Sequence, residues 1–361
     1  MSSGKFAISY TVKNEARLLP PAIEYHLAAG CSRIYIFWDG TSDGSESLVA
    51  KYPCIVARNS MKPEEIHAPP AWLSRIHPWW ETNMDVRKNT NSYCAAQDAA
   101  ANGIEWLIAI DPDELILMSR DAQVIDGHIS KHLSEIPDGI DQVHLPNVES
   151  VPTSAESENP FADSVYFLKR FPATESVWKY SRALLSRVSR SPQLVAWYDY
   201  FFYQLRFPGA LPRLMREPGT LSRIPAGYFL GYSNHKSFVR TSQSANFAFA
   251  VHSWMHYKKT PRSMKAGNIL HFDMLDARYF MAKFRQREPG IILKAFYLRY
   301  RLANLVRNLT DSQVREFFEQ YVAMRDPRRI ASLIRRGIVI EIHAPSNFMK
   351  QRQAASTNAG K

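Results

Sequence analysis

Four short apolar runs recur in the first 110 residues: KFAISYTV, RIYIFW, CIVA and EWLIAI. Each is rich in β-branched or aromatic residues and has the length of a strand. The segments between them have a different period. Leu18, Ala22, Tyr25 and Ala29 recur at helical spacing until Gly30 stops the pattern. SESLVAKY predicts a short helix, and residues 85–102 predict a longer one ending at Gly103. Parallel strands need long crossovers, and a strand–helix alternation supplies them. The chain is therefore expected to be α/β, with a mixed, mainly parallel sheet flanked by helices.

The fourth run ends in AIDPDELIL, where Asp111, Asp113 and Glu114 stand inside an apolar stretch. A buried charge is costly unless it is paired. Either the chain turns out into water here, or the acids hold a cation. Asp111 and Asp113 are two residues apart, so in extended chain both side chains would point to one side. Hard oxygen donors spaced in this way suit Mg²⁺ or Mn²⁺. In an open α/β sheet, ligands bind beyond the carboxyl ends of the strands, where DPDE falls. The turns TVKNEARLL and WDGTSDGS would open on the same edge. Asp39 and Asp43 there could accept hydrogen bonds from a base or ribose, or form an Asx turn with a helix cap at Asp43 or Ser45.

Beyond residue 120 the pattern is less regular. Residues 58–84 carry many Pro and Trp and predict a loop. VHLPNVES, SVYFLKR and SVWKYSRALLSRV read as strands, and residues 150–162 as a polar, mobile loop. Pro289 and Gly290 precede an amphipathic helical stretch, and QRQAASTNAGK has the composition of a disordered tail. The organisation expected is a domain over 1–288, with a first half at 1–120 and a second at 121–288, a helical basic extension over 289–350 and a tail over 351–361.

Residues 1–260 hold 26 Lys and Arg against 26 Asp and Glu, whereas residues 261–361 hold 19 against 8, so the whole net charge of +11 lies in the last part. That asymmetry predicts an anionic partner, or Arg-rich helix faces in water. Three widely spaced cysteines show neither zinc spacing nor a disulfide framework, which points to a reducing compartment. No run is long enough to cross a bilayer, and the N-terminal segment does not read as a signal peptide.

KNE, a helix containing EYH, a glycine, RIYIFWDGTSDGS and EWLIAIDPDELIL, in that order, resemble the nucleotide-sugar glycosyltransferases of the GT-A fold. Families 2 and 92 are the nearest in pattern. The resemblance covers residues 5–120 and continues more thinly through GYSNHKSFVR, VHSWM and NILHFDM. One departure stands out: many family 2 members place two Asp after the second strand, and here Trp38 precedes Asp39. Stacking on Trp38 could substitute for the missing contact.

The resemblance implies a GT-A (Rossmann-like) domain with the basic helical extension behind it. It implies nucleotide-sugar contacts from Thr11, Lys13, Asn14, Glu15, Trp38, Asp39, Asp43, Asn91, Asp111, Lys236 and Arg240. It implies a divalent metal, Mn²⁺ or Mg²⁺, held by Asp111, Asp113 and His271, with Glu114 and His252 touching acceptor or phosphate. An inverting transfer would need a carboxylate base. Asp163, Glu175, Asp199 and Glu217 lie in the second half, and Glu217, before a Pro-Gly turn, is preferred. A retaining enzyme would need no such base.

The function expected is transfer of a sugar from a nucleotide sugar, a UDP-sugar first, to a glycan, lipid-linked or protein hydroxyl. A cytoplasmic protein is expected, peripheral at the inner face of a membrane through its basic region. The alternative is a GT-A-like scaffold without transfer activity, or a binder of anionic polymers. No helix-turn-helix, zinc or RNP-like signature is present, so no nucleic acid is expected. A nucleotidyltransferase would need a Gly-rich phosphate loop that TVKNEARLL lacks.

Overall fold

β1 (Phe6–Val12) is buried at every position and lies inside the sheet, with a strand on either side. The structure is a computed structural model that describes residues 3–119, 125–169, 172–189, 191, 194, 198, 235–285 and 306–359. β1 pairs in parallel with β2 (Cys31–Trp38) on one side and β4 (Trp106–Ala109) on the other, and β2 pairs in parallel with β3 (Ile55–Asn59). Between these strands run α1 (Leu19–Ala28), α2 (Ser45–Val49), α3 (Ala71–Ile76) and α4 (Met84–Ala101). This is the alternation expected from the four apolar runs.

Beyond β4 the sheet becomes mixed. β5 (Glu114–Leu117), β6 (Gln142–Glu149), β8 (His235–Arg240), β11 (Ser263–Lys265) and β12 (Asn268–His271) complete it, in the order β3-β2-β1-β4-β8-β6-β12-β5 with β11 beside β6. β8 is antiparallel to both β4 and β6, and β12 is antiparallel to β5. This parallel-to-mixed, helix-flanked sheet is the Rossmann-like arrangement that the GT-A resemblance implies.

α4 packs close to the sheet because its inward face is small: Ala95, Ala96 and Ala99 are fully buried in one cluster with Tyr35, Phe37, Leu107 and Val239. Its first turn is capped by Asn83, whose side chain accepts the Asp85 N–H at 2.9 Å. Pro at the first turn opens α1, and Gly30 at φ +100° ends its turn into β2, a conformation costly for any side chain.

The chain divides into two compact units. The first comprises residues 1–147, 234–271 and 347–361, and the second 148–233 and 272–346. The second has its own core, in which Leu168, Phe280, Phe284, Phe317, Phe318, Leu333 and Val339 are buried. It contains β7 (Tyr166–Leu168) paired antiparallel with the strand Val339–Glu341, and the helices Ala277–Arg285, Asp311–Phe317 and Pro327–Arg335.

Four expectations change. Residues 58–84 are not all loop, because the Pro69–Pro70 pair leads into α3, with Trp72 and Leu73 buried. SVWKYSRALLSRV is not a strand but most of helix α7 (Pro172–Val188). Pro172 starts it, as proline commonly does. Val151, Ala155, Phe161 and Ala162 are buried, so the polar stretch 150–162 carries core residues. The segment 351–361, disordered by composition, is helical to Ala359 within the helix Ala344–Ala359. Among the described residues no helix is long and apolar enough to cross a membrane.

Candidate functional site

The acids after β4 do not continue as extended chain. The Glu114 N–H donates to the Asp111 carbonyl at 3.0 Å, and the Glu114 Oε2 accepts the Asp111 N–H at 2.9 Å. Pro112 supplies the fixed φ that such a four-residue turn favours at its second position. The turn gives the two aspartates different partners and corrects the expectation of extended chain between them.

Asp111 is held from two sides. Lys88 on α4 meets its Oδ1 at 2.5 Å, and Lys236 on β8 meets its Oδ2 at 3.3 Å. Lys236 also reaches Glu114 Oε2 at 3.1 Å. Burial acts to raise the Asp111 carboxyl, but the Lys236 and Lys88 ammonium groups outweigh it and hold Asp111 well below the usual carboxylate range. For Glu114 burial wins over Lys236, and its pKa is raised. Burial alone would lower the Lys236 pKa, yet Asp111 and Glu114 together raise it.

The partner of Asp113 is His271, whose Nε2 lies 3.6 Å from its Oδ2. The register explains the meeting: β12 pairs antiparallel with β5 so that His271 stands opposite Glu114. Both side chains are buried. Two residues along the chain from His271 comes Asp273, and the two side chains offer ligand atoms within 4.8 Å of each other. Asp273 also pairs with Lys283 at 2.6 Å. A carboxylate and an imidazole, as Asp113 and His271 present them, form a donor set that suits Mn²⁺ and accepts Mg²⁺ less readily, because nitrogen is a softer donor.

The two N-terminal loops are tied to one another at the same edge. Asn14, at φ +57°, accepts the Ser42 N–H at 2.8 Å. Asp43 Oδ2 accepts the Ala16 N–H at 2.8 Å, and its Oδ1 accepts from the Ser45 N–H and hydroxyl. Burial pushes Asp43 up, but the Ser45 and Ala16 hydrogen bonds outweigh it and lower the pKa. Asp43 thus forms the Asx turn that was part of one of its two expected roles, while the cap position of α2 is Gly44, with no side-chain cap bond. Asp39 is gripped by the Arg87 guanidinium, with Nε at 2.7 Å and Nη2 at 3.0 Å, and Ser60 donates to it at 3.1 Å. Asn91 is fully buried, with its amide shared between Thr11, Ser60 and the Met61 N–H. Trp38 is buried at the end of β2. Lys13 is exposed and Glu15 half-buried in the loop after β1.

His252 lies between β9 (Phe247–Ala250) and β10 (Ser253–His256). Burial first, and the Lys236 and Lys88 charges after it, lower its pKa to about 3, with Asp111 opposing. His252 therefore belongs to the same electrostatic neighbourhood as the DPDE turn.

Arg240 does not. It sits at the far end of β8, opposite Trp106 at the beginning of β4, where it pairs with Glu105, donates to the Ile140 and Pro137 carbonyls and covers the Trp106 ring at 4.2 Å. Asp163 ends the short helix Pro160–Asp163 and accepts from Ser157 at 2.6 Å. Glu175 lies on α7, while Asp199 and Glu217 fall outside the described residues. Sequence reasoning missed Lys88, Arg87 and Asp273. The spacing His-x-Asp at 271–273 repeats that of Asp111 and Asp113, and Lys88 stands one helical turn before Asn91. Both signals were present.

No family model matches the chain. Over 354 residues, 93% of this chain, it is 23% identical to a protein of Arabidopsis thaliana described as glycosyltransferase-like. Over 360 residues, again 93% of the chain, it is 23% identical to a second Arabidopsis thaliana protein of the same description. The aligned part is 61% of the length of the first and 69% of the second, so the chain spans less than two thirds of the former. It is also similar to glucosyl-3-phosphoglycerate synthase from Mycobacterium tuberculosis in complex with Mn²⁺, uridine diphosphate and glucosyl-3-phosphoglycerate. That likeness has a TM-score of 0.31 and 11% identity, over 81% of this chain and 79% of the other. The complex of the same synthase with Mn²⁺, uridine diphosphate and phosphoglyceric acid gives a TM-score of 0.30 at 11% identity, over 82% and 78%. The resemblance to glycosyltransferase-like proteins extends over nearly the whole chain.

Proposed function

We propose that the protein is a metal-dependent glycosyltransferase that takes a sugar from a nucleotide sugar, a UDP-sugar first, and passes it to a hydroxyl acceptor. The observation that carries this reading is the DPDE turn at the carboxyl end of β4, which sets Asp113 beside His271 and Asp111 beside two lysines. Asp111, Asp113 and His271 would hold Mn²⁺ or Mg²⁺. Bound there, the ion supplies Lewis-acid stabilisation of the leaving diphosphate.

The chain's own groups have separate tasks in this reading. Asp39, Asp43, Asn14 and Thr11 shape the loops that receive the nucleoside, with Trp38, Lys13 and Glu15 alongside. Lys236 keeps Asp111 and Glu114 in place, and Glu114 and His252 border the path of acceptor or phosphate. We propose an inverting transfer with Glu217 as the base that takes the acceptor proton. That assignment rests on its position before a Pro-Gly turn in the sequence.

The acceptor proposed is a glycan, a lipid-linked sugar or a protein, approached at the cytoplasmic face of a membrane. Supporting the membrane contact, Arg328, Arg335 and Arg336 are exposed along one side of the helix Pro327–Arg335 and its end, while Ile330 and Leu333 face inward.

The test is hydrolysis and transfer from a panel of nucleotide sugars, with and without Mn²⁺ or Mg²⁺, for the parent protein and for Asp113→Asn and His271→Gln. Metal-dependent turnover lost in both variants is expected. Metal-independent turnover, or no binding of any nucleotide sugar, would overturn the proposal.

A further inference from the structure

We infer that Lys88 is a diphosphate-binding residue that exchanges partners: it pairs with Asp111 in the empty site and with the donor's phosphate oxygens in the loaded one. This rests on the glycosyltransferase reading above.

Three observations carry it. The first is the difference between the two lysines on Asp111. Lys236 is nearly buried, with 4% of its side chain exposed, and it bonds both Asp111 and Glu114, so moving it would strand a buried carboxylate. The Lys88 side chain is 18% exposed, and among the described residues its one ion-pair partner is Asp111. Of the two, only Lys88 can leave without uncovering a second buried charge.

The second is charge. By formal charge, the carboxylates of Asp111, Asp113 and Glu114 against the ammonium groups of Lys88 and Lys236 leave one net negative charge. A divalent cation at the aspartates would turn that into one net positive charge. Asp111 would then offer an oxygen to the cation instead of to Lys88, and the freed ammonium would face a site short of anions. A nucleoside diphosphate supplies them, and a lysine is a strong point-charge partner for phosphate.

The third is the rigid base from which Lys88 projects. Asn91, one turn further along α4, is fixed by bonds to Thr11, Ser60 and Met61. The exchange therefore needs only rotation of the Lys88 side chain, within the reach of a lysine that turns from one oxygen to another near it.

The experiment measures binding by the full chain. Mn²⁺ alone and UDP with Mn²⁺ are titrated by calorimetry, and uridine by saturation-transfer NMR, for the parent, Lys88→Met and Lys88→Arg; GDP and guanosine replace the uridine pair if the parent prefers them. Thermal melts check that each variant folds. Lys88→Met is expected to weaken UDP about tenfold or more, leave uridine unchanged and tighten Mn²⁺ alone, because the competing ammonium is gone. Lys88→Arg is expected to recover most of the UDP affinity. The opposite signs for metal and diphosphate separate this role from a merely structural one. UDP binding unchanged in Lys88→Met, an equal loss for UDP and uridine, or Mn²⁺ binding no tighter than in the parent would each overturn the exchange alone. A parent that binds neither nucleoside diphosphate would overturn the glycosyltransferase reading and this inference with it.

Discussion

Lys236 and Glu114 form an ion pair at 3.1 Å in which only 4% and 3% of the side chains are exposed. β8 brings the lysine and the start of β5 the glutamate, so one contact ties the mixed part of the sheet to the acid turn. The pair costs desolvation on both sides, and its partners are retained because each needs the other.

Lys236→Met is therefore expected to destabilise the protein by about 3–5 kcal/mol, the usual cost of leaving a buried charge without its partner. The double variant Lys236→Met with Glu114→Gln should recover part of that loss, since the stranded carboxylate is gone. Urea unfolding of the parent, the single and the double variant measures both. A single variant as stable as the parent would show that Glu114 is neutral in the fold.

A second prediction concerns pH. His26 is fully buried on α1, and burial lowers its pKa to about 3. Its Nε2 accepts the Ile116 N–H at 3.2 Å, which leaves the ring proton on Nδ1, 2.8 Å from the Ala22 carbonyl. A histidine whose folded pKa lies below its unfolded value binds its proton mainly in the unfolded state. Its contribution to stability is complete above about pH 6.5 and is lost as pH falls from there toward about 3. The expected slope from this one group is about 1.4 kcal/mol per pH unit inside that window. Urea unfolding at several pH values should show a shallower dependence for His26→Gln than for the parent. Equal slopes would mean that His26 is protonated in the folded protein.

The parts of this architecture legible in the sequence are those set by local burial. β1, β2 and β4 are continuous apolar runs because neighbours cover both faces, and the acids stood out because they interrupt such a run. The errors arose where tertiary context decides. In α7, Val177, Tyr180, Leu184 and Val188 follow helical spacing, yet Val177, Tyr180 and Val188 are good strand formers, so local propensity misleads there. Lys236 and Arg240 share one strand and looked equivalent. The antiparallel pairing of β8 with β4, Ile108 opposite Phe238 and Trp106 opposite Arg240, puts one at the site and the other at the opposite edge. The sequence reading passes over Lys88, whose partner Asp111 stands 23 residues away in the chain.

Gly30 gives a third prediction. At φ +100° it occupies backbone space that disfavours any side chain, and a Cβ there would collide with the Ser130 side chain. Gly30→Ala is expected to cost at least about 1 kcal/mol from the backbone alone, with the collision added. Pairing it with Ser130→Gly removes the collision but not the backbone term. Thermal and urea unfolding should therefore show a partial rescue. Full rescue, or none, would assign the cost wholly to one of the two causes.

Asn91 gives the last. The resemblance to glycosyltransferases made it a nucleotide-sugar contact, whereas its amide is enclosed: Nδ2 donates to Thr11 Oγ1 at 3.0 Å and Ser60 Oγ at 3.2 Å, and Oδ1 accepts the Met61 N–H at 2.8 Å. These bonds join α4 to the end of β1 and to the segment after β3, the supports of both loops that carry Asn14 and Asp39. Asn91→Ala leaves the buried Met61 N–H without an acceptor and is expected to cost about 2 kcal/mol or more. If Asn91 acts only by positioning, nucleotide affinity should fall together with stability and return when a compensating stabiliser raises the melting temperature. Asn91→Asp tests the same point from the other side. It keeps the acceptor for Met61 but loses the donors, and it sets a buried carboxylate against two hydroxyls that can turn to donate. It should therefore lose less stability than Asn91→Ala near neutral pH. A variant that binds UDP far more weakly than the parent while melting at the same temperature would instead make Asn91 a direct contact.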